Sequence, residues 1–173
     1  MVEVSIVLLT MSVIAGFALL DIVGIMPRVA ADKAMTLTLE QLRIGRELAI
    51  AQRRSVEVKF LEDNEIQLVR LDMPTGSTIL STVWLENKVR FHLFDGVPDT
   101  PDSFGNAAAV DFGGSDRLIF LTDGTLVNVL GNPLNGSVFL GLPDRPETAR
   151  AVTLLGATGR VRGYRWTGTS WIQ

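Results

Sequence analysis

The sequence predicts an α+β protein: a long N-terminal α-helix, followed by an antiparallel β-sandwich head. Three observations predict it. Residues 4–26 form an apolar run in which Asp21 is the single charge. Residues 30–54 contain no proline, one glycine and many good helix formers. From Ser55 onward the pattern changes to strict alternation, the period of a half-buried strand. The division this implies is residues 1–54 as the helix, with a membrane-spanning part at about 4–26, and residues 55–173 as a β-rich head.

A length of 173 residues gives room for one ordinary domain and an extension. With 47% hydrophobic and 20% charged residues the chain can build a core, which excludes global disorder. Its net charge of −3 gives a whole-molecule field that does not attract nucleic acid or an acidic membrane surface. The absence of cysteine excludes disulfides, thiolate metal sites and a thiol nucleophile, and leaves the compartment open.

The apolar run is long enough to cross a bilayer, which takes roughly 20 residues at about 1.5 Å each. A cleaved secretory signal would need a basic leader and a shorter apolar core. A plain signal anchor accounts for the hydrophobicity but not for Glu3 at its head. A helix that first sits in a membrane and then packs among sister helices in a filament accounts for both. A buried carboxylate is costly unless paired, and the terminal amine of a neighbouring subunit is its natural partner. Glu3 would then set the axial register. Met1-Val2-Glu3-Val4 resembles the stretch that follows Gly-Phe-Ser or Gly-Phe-Thr in type IV pilins and pseudopilins. In that family a peptidase cuts after the Gly and methylates the new Phe. Neither residue precedes Glu3 here, so the resemblance implies a start about two residues inside the mature protein. A second alignment, anchored on Pro27, would put Thr10 at the glutamate position and Ser5 at the cleavage site. Residue type and order favour the first, under which Pro27 falls later than the family's proline.

Pro27 lacks a backbone donor and is expected to kink or break the helix. Beyond it, Leu39, Leu42 and Ala49 form an apolar stripe beside Arg46 and Arg53. The stretch LRIGRELAIAQRRSVEVKF, residues 42–60, resembles the helix-to-first-strand junction of the GspH/FimT pseudopilins. Residues 55–60 and 65–71 alternate around the turn Glu62-Asp63-Asn64 and read as a hairpin. Further strands are expected at 77–85, 88–93, 117–121, 126–129, 137–140, 151–155 and 161–166, with a long surface loop over 95–116. Residues 118–126, LIFLTDGTL, and 149–162, ARAVTLLGATGRVR, resemble the end of the GspH/FimT domain. Asp123-Gly124 is also a favoured tight turn in its own right, and Gly159 suits a turn before Arg160.

Candidate chemistry is sparse. His92 is the single histidine and lies in a strand pattern, too isolated for a metal site. Asp95, Asp99, Asp102, Asp111 and Asp116 do not follow a calcium-loop spacing, and a solvated loop is favoured over a calcium site. Asp123 pairs in principle with Asp116 as an acid, but the turn already explains it. Asp21 is expected at the end of the span, at the membrane interface. No nucleophile triad, phosphate loop or metalloprotease helix is present. The expectation is a protein that is not an enzyme and uses no cofactor.

Residues 150–173 hold four arginines (Arg150, Arg160, Arg162, Arg165) and no acid, with Tyr164, Trp166 and Trp171 interleaved. Arginine beside aromatics is a footprint for a nucleic-acid backbone and its bases. Gly159-Arg160-Val161-Arg162 resembles the Gly-Arg-x-Arg stretch through which some FimT-like minor pilins bind DNA. The competing and favoured reading is an edge of exposed structural arginines, with Val161 turned inward.

The resemblance as a whole implies a minor pseudopilin, a structural subunit of a type II secretion pseudopilus or type IV pilus. It implies a single-pass anchor in the bacterial inner membrane, a periplasmic head, and assembly with other pilins and the inner-membrane platform. It also implies processing by a prepilin peptidase. The alternative is a DNA-binding minor pilin acting in natural transformation through Arg160, Arg162 and Arg165.

Overall fold

The computed structural model describes residues 2–72, 74–115 and 117–173. The side chains of residues 2, 3, 5, 6, 10 and 12–23 lie outside the described set. Helix α1 (Val2–Gln52) is a single element of 51 residues, about 77 Å long at the usual rise. The expected break at Pro27 does not occur. Proline's fixed φ is close to the helical value, so it removes one backbone hydrogen bond without forcing the chain out of the helical region. Among the described residues no helix is long and apolar enough to cross a membrane. Most of the expected span at 4–26 is without described side chains.

The second half of α1 is built to lie on a sheet. Ala31, Ala34, Met35, Thr38, Leu42 and Ala49 fall on one face of the helix, at spacings of one or two turns or in neighbouring positions, and are all buried. Gly45 lets the helix come close to Leu68 and Phe120, which stand 3.2 and 3.5 Å from where a Cβ would be.

The head holds two antiparallel sheets. The first contains β1 (Val56–Leu61), β2 (Glu65–Leu71), β3 (Ser77–Trp84), β6 (Leu118–Phe120) and β7 (Leu126–Val127), in the order β3-β2-β1-β6-β7. The second contains β4 (Arg90–Phe91), β8 (Gly136–Gly141), β9 (Arg150–Leu155), β10 (Arg160–Trp166) and β11 (Trp171–Ile172), in the order β11-β10-β9-β8-β4. β5 (Val110–Asp111) also pairs with β8. α1 touches β1, β2 and β6 of the first sheet and β8, β9 and β10 of the second. One core joins all three layers, with Leu42 of α1, Ile66 and Phe120 of the first sheet, and Leu140, Val152 and Leu154 of the second. Burying each such side chain contributes about 1.5–3 kcal/mol. The buried Glu57 is neutralised by Arg117, whose Nε and Nη2 donate to its carboxylate at 2.6 and 3.1 Å.

Two strand expectations and one loop expectation are corrected. The strand expected at 88–93 is only two residues long, and that at 126–129 ends at Val127, because a tight turn follows immediately. The 95–116 segment is not a free surface loop. Val97, Thr100 and Phe112 are buried, and Val110–Asp111 joins the second sheet. Asp116 lies outside the described residues. β5 and β11 are too short to show a period, which is why alternation did not mark them.

Candidate functional site

The β9–β10 hairpin carries the arginines. It turns at Gly159, which has φ +63°, a value that favours glycine. Arg160 pairs with Leu155, Arg162 with Thr153 and Arg165 with Arg150. Val161 points inward and is buried, as expected. Gly163 faces α1, against Leu39 and Met35.

The alternation does not leave a row of free guanidinium groups. Arg162 Nη1 donates to Asp102 Oδ1 at 2.8 Å. Thr153 Oγ1 and Tyr164 Oη donate to the other oxygen of the same carboxylate at 2.6 and 2.9 Å. Burial pushes the Asp102 carboxyl upward, but these donors and the Arg162 charge hold it below its ordinary value. The Tyr164 hydroxyl moves the other way, pushed up by burial and then by Asp102. Arg165 Nε is 3.1 Å from Asp32 on α1, and Arg150 Nε is 2.6 Å from the same oxygen. Arg150 is only 4% exposed and also donates to the carbonyls of Glu147 and Ala149.

The aromatics of this region are equally engaged. Tyr164 is buried, Trp166 and Trp171 lie 5.4 Å apart between ring centroids, and Trp171 Nε1 donates to the Pro98 carbonyl at 2.9 Å. The 94–111 segment therefore straps the outer face of the second sheet.

Arg160 stands apart. It is exposed, and among the described residues it has no carboxylate within ion-pair distance. It lines a hollow of about 270 Å³ with Arg43, Arg46, Glu47, Gly159 and Val161. Arg46 Nε donates to the Gly124 carbonyl at 3.3 Å. A Cβ on Gly159 would lie 2.5 Å from the Arg46 side chain, and one on Gly124 would lie 2.9 Å from it. The two glycine turns thus meet over one arginine of the helix. Three guanidinium groups face one carboxylate there, so the hollow is locally cationic. Arg43 and Arg46 are three apart on α1, a spacing that shares a face, which gives the helix side of the hollow but not its meeting with Arg160.

The other candidates serve the fold. His92 packs edge-on against Phe94, 4.7 Å between centroids. Asp99 accepts from the backbone of Thr100 and Gly105, and Asp111 from that of Ala107 and Gly113. Asp123 accepts from the Thr125 amide at 2.9 Å, which holds its carboxyl low. Among the described residues no group of three His, Cys, Asp or Glu side chains could hold a metal. Glu3 and Asp21 have their side chains outside the described set.

No protein-family model matches the sequence, and no curated protein is significantly similar to it. Solved structures do match. The type IV minor pilin FimU of Pseudomonas aeruginosa superposes with a TM-score of 0.51 at 15% identity, over 86% of this chain and 93% of that one. The minor pseudopilin EpsH of the Vibrio cholerae type 2 secretion system superposes with a TM-score of 0.53 at 12% identity, over 78% and 96%. The resemblance read from the sequence therefore holds at the level of the fold.

Proposed function

We propose that this chain, whose fold is that of the minor pilins and pseudopilins, is a minor pseudopilin-like subunit of a type II secretion pseudopilus or a type IV pilus. In this reading residues 4–26 anchor it in a bacterial inner membrane, and the head from residue 55 stands in the periplasm. Its partners are other pilins, the assembly platform and a prepilin peptidase. Its work is assembly rather than catalysis.

The observation that carries the reading is the unbroken α1, one half seated in the head and the other half extending beyond it. The extending half exposes Val4, Leu8, Leu9, Met11, Ile25 and Met26. A helix that presents so many large apolar side chains needs lipid or sister helices around it. Glu3 would pair with a neighbour's terminal amine and set the register. Deletion of the gene tests this. Loss of a secreted protein from the medium, restored by the wild-type chain, supports a pseudopilus; loss of surface pili supports a pilus. Retention of both contradicts the reading.

One observation favours the DNA-binding reading as a second. Arg160 is uncompensated and shares its hollow with Arg43 and Arg46. Arg162 and Arg165 already hold carboxylates, so the footprint in this reading shifts from the strand toward the helix. Binding of labelled DNA to the protein should then fall with salt and with Arg160→Ala or Arg43→Ala. Absence of binding, or binding indifferent to both, removes the reading.

A further inference from the structure

Two apolar features at opposite ends of the first sheet remain unexplained. At one end, β3 is an edge strand of eight residues with no charge, and Ile79 and Trp84 are 60% and 55% exposed. Beside it lies a hollow of about 330 Å³ lined by Ala30, Ala34 and Leu37 of α1 and by Val83 and Trp84. Its rim charges, Lys33 and Glu86, cancel in an ion pair at 2.6 Å. At the other end, the turn after β7 holds Val129 and Leu130 in solvent, 62% and 79% exposed. This turn is not loose. Asn128 Oδ1 accepts from the amides of Leu130 and Asn132 at 2.9 and 3.0 Å, the Asn128 amide donates to the Asn132 carbonyl, and the Gly131 amide donates to the Asn128 carbonyl.

We propose that these two features are the two halves of one contact: the Val129–Leu130 knob of one chain seats in the β3–α1 hollow of a second copy. The knob is convex, uncharged and already ordered, so seating it loses little conformational freedom. The hollow is concave, apolar and neutral, so neither side brings an unpaired charge to be buried.

Orientation decides between this contact and the obvious alternative. An uncharged edge strand invites antiparallel pairing with its own twin. That pairing needs a two-fold axis normal to the sheet. Because α1 lies along the sheet, such an axis would point the two helices in opposite directions. Chains anchored in one membrane by the same end cannot adopt it, a step that rests on the membrane-anchored reading above. Knob-in-hollow docking joins unlike surfaces, keeps the helices parallel and leaves a free knob and a free hollow, so it can repeat. A two-residue knob is small against the roughly 1,200 Å² of a stable interface. The contact is therefore weak in dilute solution and depends on the local concentration that a shared membrane or filament provides.

The chain has no cysteine, so single-cysteine variants of the full chain report the contact directly. Thr82→Cys marks the hollow and Asn132→Cys marks the knob. Both are produced in the same membrane and treated with a bis-maleimide of about 10 Å reach. Thr82→Cys with Asn132→Cys should give a cross-linked dimer, while each alone stays monomeric. One chain carrying both substitutions should give a ladder. Adding Leu130→Asp to the knob variant should cut the cross-linked fraction by about tenfold or more. Leu130 is exposed, so the urea midpoint should not move and a folding defect is separable. Cross-linking of Thr82→Cys with itself would show strand-edge pairing and overturn the proposal. A mixed pair that cross-links no more than Thr82→Cys with Thr169→Cys, which is remote from the knob, would overturn it too. No assembly machinery enters this test, so its failure is distinct from failure of the filament reading.

Discussion

Asp102 is the residue on which the outer face of the second sheet depends. It takes one cation and two hydroxyl donors, and it ties the strap to β9 and β10. Asp102→Ala should cost about 2–3 kcal/mol at pH 7, because it leaves Thr153, Tyr164 and Arg162 with unmet donors. The sign of the pH effect follows from the lowered carboxyl. A group depressed in the folded state stabilises above its unfolded value, near pH 4, and loses that contribution as pH falls through the folded one. Urea midpoints should therefore drop below about pH 4 by more in wild type than in Asp102→Asn. Equal slopes would show that Asp102 is not the group responsible. Gly159 gives a second residue-level check. Ala there meets positive φ and also Arg46 at 2.5 Å, while Ala at Gly168 meets positive φ alone. Gly159→Ala should cost about 2 kcal/mol or more and exceed Gly168→Ala in the same denaturation series.

At the level of elements, α1 is locked to the second sheet by Asp32, which faces Arg150 and Arg165 together. Arg150 is buried, so Asp32→Ala strands a cation and should cost about 3 kcal/mol or more; Arg165→Ala, at an exposed position, should cost about 1 kcal/mol or less. Thermal unfolding of both variants distinguishes them. These locks mark what the sequence withholds. Helix, hairpin and the Asp123-Gly124 and Gly159 turns were legible, because local period and glycine chemistry determine them. The continuity through Pro27 was not, since the surrounding helix overrides one lost bond. The basic tail was legible as a composition but not as a set of partners. Asp32 lies 118 residues from Arg150 and Asp102 lies 60 from Arg162, and no local pattern reports such pairing. The hollow of Arg43, Arg46 and Arg160 was hidden for the same reason: helix and hairpin meet only in the fold.

For the whole molecule, the head and the second half of α1 close one core, and a run of exposed apolar residues lies on the first half of the helix. Arg70, Arg90, Arg117 and Arg162 hold carboxylates of the head and Arg150 and Arg165 hold Asp32 of the helix, whereas Arg160 has no carboxylate within ion-pair distance among the described residues. Among the described residues of the extending half, Val4, Leu8, Met11, Ile25 and Met26 stand exposed, a surface that the proposed assembly would cover. Burial of each large side chain there would contribute about 1.5–3 kcal/mol, enough in sum to drive association among parallel helices. Such burial is non-directional along the axis, so a further device must fix the offset between neighbours. Glu3 is the residue assigned that task in this account.

The decisive measurement is the amount of this chain in purified filaments relative to the membrane, for wild type and for Glu3→Val. Wild type should appear in the filament fraction, and Glu3→Val should be retained at normal level in the membrane but depleted from filaments by about tenfold or more, as loss of a buried ion pair implies. Wild type absent from filaments, or Glu3→Val incorporated as well as wild type, would contradict the filament reading.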